Sequence, residues 1–118
     1  MNKSKNKLKP KISKFENMWI FAMFDLPTDD KIKRREYTRF RKFLLSQGFT
    51  MLQYSVYAKF CSSRESAKVN HKHIKETLPS EGEVRVFMIT DKQFGEMSVF
   101  YGAKRKDVES KPEQLLLL

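Results

Sequence analysis

Asp25 is the residue whose type and position most invite chemistry. It follows seven consecutive apolar residues, Met18-Trp19-Ile20-Phe21-Ala22-Met23-Phe24, and precedes Leu26-Pro27-Thr28. A short continuous apolar run reads as a strand buried on both faces. The carboxylate therefore stands at a strand end, where a rigid element holds a functional group in place. Two roles fit it: a turn residue that hydrogen-bonds the backbone beyond it, or a ligand for a hard cation such as Mg2+. One carboxylate is too few for a Mg2+-dependent nuclease centre, which usually takes two. A twofold dimer would supply the second.

Other reactive groups offer less. His71 and His73 form a His-x-His pair; on a helix they lie about 200° apart and cannot share one metal, so both read as solvent-facing. Cys61 is the single cysteine. It excludes an intrachain disulfide and any zinc site built from several thiolates, has no evident activating partner, and fits a reducing cytoplasm. The four glycines are dispersed, with no phosphate-cradling loop, and no Ser-His-Asp signal exists. Tyr54-Ser55-Val56-Tyr57 carries aromatics able to stack on bases. Alternation assigns Tyr54 and Val56 to sheet packing and leaves Ser55 and Tyr57 on the other face, open to a partner or ligand.

The charge balance indicates what such groups would meet. The 118 residues include 24 Lys plus Arg against 14 Asp plus Glu, a net charge of +10. The length predicts one domain, and 40% apolar residues argue against disorder throughout. No apolar run approaches the roughly 20 residues of a membrane span. The Lys-rich start lacks a signal-peptide cleavage site, so the expected location is cytoplasmic, with no membrane partner. A nucleic-acid backbone is the default partner for the excess charge. Residues 1–17 hold six Lys against Glu16 and read as a disordered basic arm. Residues 29–45 hold seven basic residues against Asp29, Asp30 and Glu36, interleaved with apolar ones.

These residues need elements to position them. Thr28 is the expected N-cap of a helix over about 29–47, with Asp29 and Asp30 opposing its dipole. Ile32, Tyr37, Phe40, Phe43 and Leu44 share one face, and Gly48 stops the helix. The alternation from 50 to 61 predicts two short strands joined tightly. Ser62 and Glu65 have capping-box spacing and open a helix to about Thr77, with a thin stripe of Ala67, Ile74 and Leu78. Glu83–Thr90 reads as a strand, and Val99–Tyr101 as a last short one. The order predicts an α+β, ferredoxin-like βαββαβ sandwich with an extra short C-terminal strand. Both helices on one face would leave the other sheet face for a partner, so a homodimer through that sheet is expected. The organisation is a 1–17 arm, an 18–105 domain and a 106–118 tail.

Phe24-Asp25-Leu26-Pro27-Thr28, the Arg-rich helix ending Phe40-Arg41-Lys42-Phe43-Leu44, Gly48-Phe49 and Gln53-Tyr54-Ser55-Val56-Tyr57 together resemble the CRISPR-associated Cas2 family. In particular they resemble the form found in systems with a single large effector nuclease, and the resemblance runs from about residue 18 to 105. It implies a ferredoxin-like symmetric homodimer whose last strand pairs across the dimer. It also implies a Mg2+-dependent endonuclease acting on RNA or double-stranded DNA, with Asp25 and its dimer mate as metal ligands. In spacer acquisition the dimer would bridge two dimers of the integrase subunit and act as a ruler for the DNA duplex. The resemblance matches Lys33 and Arg35, and Lys104 and Arg105, to phosphate-contacting positions. It gives the tail, with Leu115, Leu116, Leu117 and Leu118, a docking role on the integrase. Met51 departs from the pattern, standing where many nuclease-active members carry a basic residue. The 17 residues before the first strand are a second departure. The alternative is a stand-alone ferredoxin-like ribonuclease of toxin type, acting on RNA without an integrase.

Overall fold

The computed structural model describes residues 16–112. Most of the basic arm and the Leu115–Leu118 tail lie outside the described residues. Strand β1, Met18–Asp25, is the centre of the fold. It pairs antiparallel with β3 (Val56–Cys61) on one side and β4 (Glu83–Thr90) on the other. Strand β2, Thr50–Gln53, pairs antiparallel with β3, giving the sheet order β2-β3-β1-β4. With α1 (Lys31–Ser46) and α2 (Arg64–Lys75) as crossovers, this is the βαββαβ core of a ferredoxin-like sandwich.

Burial on both sides follows from the apolar run of β1. Ile20, Ala22 and Phe24 join Phe40 and Leu44 of α1 and Ala67 and Ile74 of α2 in one cluster. Trp19 and Phe21 point the other way, into a second cluster with Ala58, Phe60 and Phe94. Both helices therefore pack on the same face. The outer face is less bare than expected. Helix α3, Asp91–Gly95, is fixed by a Thr90–Gln93 capping box and lays Phe94 flat on Trp19, centroids 3.8 Å apart. Val108 packs on the same cluster, and the Lys111 ammonium sits 5.8 Å from the Phe60 ring centre. Towards β4, Phe87 stacks on Phe21 yet stays 39% exposed.

Local chemistry moves several boundaries. Asp30, not Thr28, caps α1, its carboxylate accepting from Lys33 N–H at 2.8 Å; Asp29 and Asp30 thus precede the first turn. Aspartate is at least as good an N-cap as threonine, which allows the start to shift. At the other end Gly48 takes φ +91°. Its N–H reaches Leu45 O, and Phe49 N–H reaches Leu44 O at 3.0 Å, the paired closure that a left-handed glycine permits. Ser63, not Ser62, caps α2. Leu78 falls beyond that helix and is exposed.

Tyr54 and Tyr57 exchange their expected places. A register shift between Met51 and Gln53 breaks the alternation, and Ser55 turns the chain at φ 61°. Tyr54 rides the turn, 78% exposed, whereas Tyr57 is 1% exposed. Tyr57 lies opposite Ala22 and stacks on Phe24 at 5.5 Å, inside the helix-facing core. At the C-terminal end, β5 (Val99–Tyr101) pairs not with the main sheet but with β6 (Lys104–Lys106), across a turn at Gly102, in a hairpin of its own.

Candidate functional site

Asp25 ends β1 and is exposed, opposite Glu83 of β4 in the strand register. On its other side the β2–β3 turn is tied to β1 by Phe24 N–H donating to Ser55 O at 3.1 Å. Between these strand ends lies a shallow depression of about 210 Å³, lined by Asp25, Tyr54, Ser55, Glu83 and Arg85 among others. Glu83 is engaged by Arg85 at 3.3 Å. Among the described residues no hydrogen bond or ion pair holds the Asp25 carboxylate, so the turn-capping role finds no partner. Nor does any cluster of three or more His, Cys, Asp or Glu suited to a metal occur among them. Hydrated Mg2+ needs less: one or two carboxylates, with waters completing its octahedron. An exposed carboxylate on an open depression fits that demand in donor type and room.

Gly82 sets the close passage beside Asp25. Its φ is +94°, and a Cβ there would lie 2.8 Å from Asp25 O and 2.7 Å from Leu26 Cδ2. Gly82→Ala is therefore expected to destabilise the fold by about 2 kcal/mol, combining a strained backbone with a backbone clash. Urea denaturation checks this.

The basic residues divide into two groups. Lys33 faces Asp29 at 3.3 Å, Asp30 at 3.9 Å and Glu81 at 3.7 Å. The hydrogen bond to Asp29 is the main reason its ammonium is held above the usual lysine range; the Asp29 carboxyl is held below the usual range first by a hydrogen bond from its own backbone and then by Lys33. Its charge is compensated within the chain. Lys33→Ala is expected to leave the salt dependence of duplex binding unchanged, as measured by fluorescence anisotropy.

The other group is a row. Lys31, Arg34, Arg35, Thr38, Arg39 and Lys42 line one shallow depression of about 510 Å³ along α1. Their spacing of three or four residues stacks them on one helix face. Arg34 also donates to Thr28 O at 3.1 Å. Arg39 holds Glu36 and reaches Thr77 O at 3.2 Å, and its guanidinium keeps the Glu36 carboxyl below the usual range. Among the described residues Lys31, Arg35 and Lys42 have no ion-pair partner. Arg35 thus belongs to this row, while Lys33, two residues away, points to the acidic side.

Lys104 and Arg105 sit exposed on β6 with Lys106, and Phe100 and Tyr101 are exposed on β5. Cys61 is buried, and burial pushes its thiol up, away from a reactive thiolate. His71 and His73 are exposed. Glu83 and Arg85, which flank Asp25, were not singled out from the sequence; only the β1–β4 register brings them there. No helix among the described residues is long and apolar enough to cross a membrane.

The fold and this surface define a small ferredoxin-like protein with a cationic helix face and an open carboxylate at the end of its central strand. The family model described as CRISPR associated protein Cas2 matches residues 18–97, and the chain belongs to that family. A "CRISPR-associated endoribonuclease Cas2" of Parvibaculum lavamentivorans is 52% identical over 100 residues, covering 85% of this chain and 99% of the relative. One of the same description from Flavobacterium psychrophilum is 44% identical, covering 91% and 93%. Another, from Ligilactobacillus salivarius, is 40% identical, covering 86% and 100%. Family membership supports a general role in CRISPR adaptation.

Proposed function

We propose that the chain acts in spacer acquisition as a homodimeric, duplex-binding subunit that bridges copies of the integrase subunit. The observation that carries this is the row of cations on α1, where Lys31, Arg35 and Lys42 have no acidic partner among the described residues. Flexible cations on one helix face suit phosphate oxygens and read no bases. Lys104 and Arg105 on the β5–β6 hairpin add a second cationic strip. Exposed Phe87, Phe100 and Tyr101 offer apolar surface to a second copy. The leucines at 115–118 are the proposed contact with the integrase. Sedimentation of the full chain with duplex and integrase subunit is expected to give two copies per duplex; one copy per duplex would refute the bridge.

A second reading is supported by the free carboxylate of Asp25 and by the endoribonuclease designation of the relatives. In it, Asp25 and the second copy's Asp25 hold Mg2+ for hydrolysis of RNA or double-stranded DNA. When bound, the ion polarises the phosphodiester and lowers the pKa of an attacking water. The chain's own part is to hold the carboxylate at a rigid strand end, tied to the β2–β3 turn by the Phe24 N–H bond to Ser55 O and passed closely by Gly82. Met51, exposed on β2, brings no cation to this work.

A further inference from the structure

Three features meet where the described chain begins. The Asn17 carbonyl accepts a hydrogen bond from Asp91 N–H at 3.0 Å, pinning the root of the N-terminal segment to the first residue of α3. Beside Asp91 runs a groove of about 420 Å³ between α3 and residues 108–111. Phe94 and Val108 give it an apolar lining, with Asp91 and Glu109 as its acidic groups and Lys111 as its basic one. Finally, Glu16 buries one carboxylate oxygen, Oε2, for which no described residue provides a donor. A buried acceptor without a partner is costly.

We propose that this groove is the docking site of the chain's own N-terminal arm. Residues 11–15 read Lys-Ile-Ser-Lys-Phe. They supply what the groove lacks: apolar Ile12 and Phe15 to cover Phe94 and Val108, and Lys11 and Lys14 to meet Glu109 and the orphaned oxygen of Glu16. Asp91 is already committed, its Oδ1 accepting from Trp19 Nε1 at 2.8 Å and its Oδ2 pairing with Lys111 at 2.9 Å. Glu109 has no such partner among the described residues. Reach favours the same chain over a second copy, because two residues span at most ~7 Å and Phe15 stands only two before the pinned Asn17. Docked in this way, the arm joins the body at its root and carries its remaining lysines outward from α3 as a tethered extension. This holds whether or not the chain cleaves nucleic acid.

Zero-length carbodiimide crosslinking of the full chain, on a mixture of isotope-labelled and unlabelled copies mapped by mass spectrometry, tests this. Crosslinks from Lys11 or Lys14 to Glu109 within one copy are expected. Phe15→Ser should lower their yield about tenfold, as expected for losing one buried aromatic anchor, with Trp19 fluorescence confirming an unchanged body. Crosslinks scattered over distant carboxylates and indifferent to Phe15→Ser would overturn the proposal. Crosslinks found only between labelled and unlabelled copies would also overturn it, assigning the groove to a neighbour's arm.

Discussion

Asp25→Ala is expected to lower Mg2+-dependent cleavage by about 10²-fold or more while leaving the fold and duplex binding intact. The reason for the separation is structural. The carboxylate is exposed and no described residue bonds to it, so its removal breaks no network and opens no cavity. What is lost is a negative oxygen at a fixed place beside the β2–β3 turn and Glu83. Asp25→Asn keeps the shape and removes the charge, so it should fail nearly as completely. A single-turnover assay with Mg2+, on both RNA and double-stranded DNA, reads the effect. Cleavage that survives both substitutions would place the chemistry elsewhere and end the second reading.

The paired reversal Arg35→Glu with Lys42→Glu is expected to weaken duplex binding about 10²-fold and to flatten its salt dependence by roughly one unit of slope per lost phosphate contact. These side chains extend from one face of α1 with no acidic partner among the described residues. Their charge is available to phosphates, and reversing it also adds repulsion. Lys33 is the control. It is likewise cationic and two residues from Arg35, yet its ammonium faces Asp29, Asp30 and Glu81. Filter-binding titrations should therefore separate the two positions. A larger loss from Lys33→Ala than from Arg35→Ala would move the phosphate contacts to the start of the helix and off the row.

Strand β1 and its terminal Asp25 were legible because seven apolar residues in a row admit little but a buried strand, and a charge must end it. The bounds of β4 followed from its β-branched content, and α1 from its apolar periodicity and Gly48. The exchange of Tyr54 and Tyr57 was not legible, because a single bulge in β2 resets which side of the sheet each residue faces. Strand β6 was hidden because Lys104-Arg105-Lys106 has no apolar pattern and exists as strand only through pairing with β5. At the site, the carboxylate and the basic helix could be read residue by residue. The juxtaposition of Glu83 with Asp25, and the Glu81 contact that compensates Lys33, depend on how β4 returns beside β1. Residues far apart in the chain meet there without local signal. The cover that Phe94, Val108 and Lys111 give the outer face has the same origin.

The proposed role depends on sequence-blind binding of duplex phosphates. The most direct test is the equilibrium affinity of the full chain for two duplexes of unrelated sequence, measured from roughly 50 to 300 mM salt. Equal affinities for the two are expected, with a straight fall of log affinity with log salt and a slope of about −4 or steeper. A flat salt response, or a clear preference for one sequence, would contradict it.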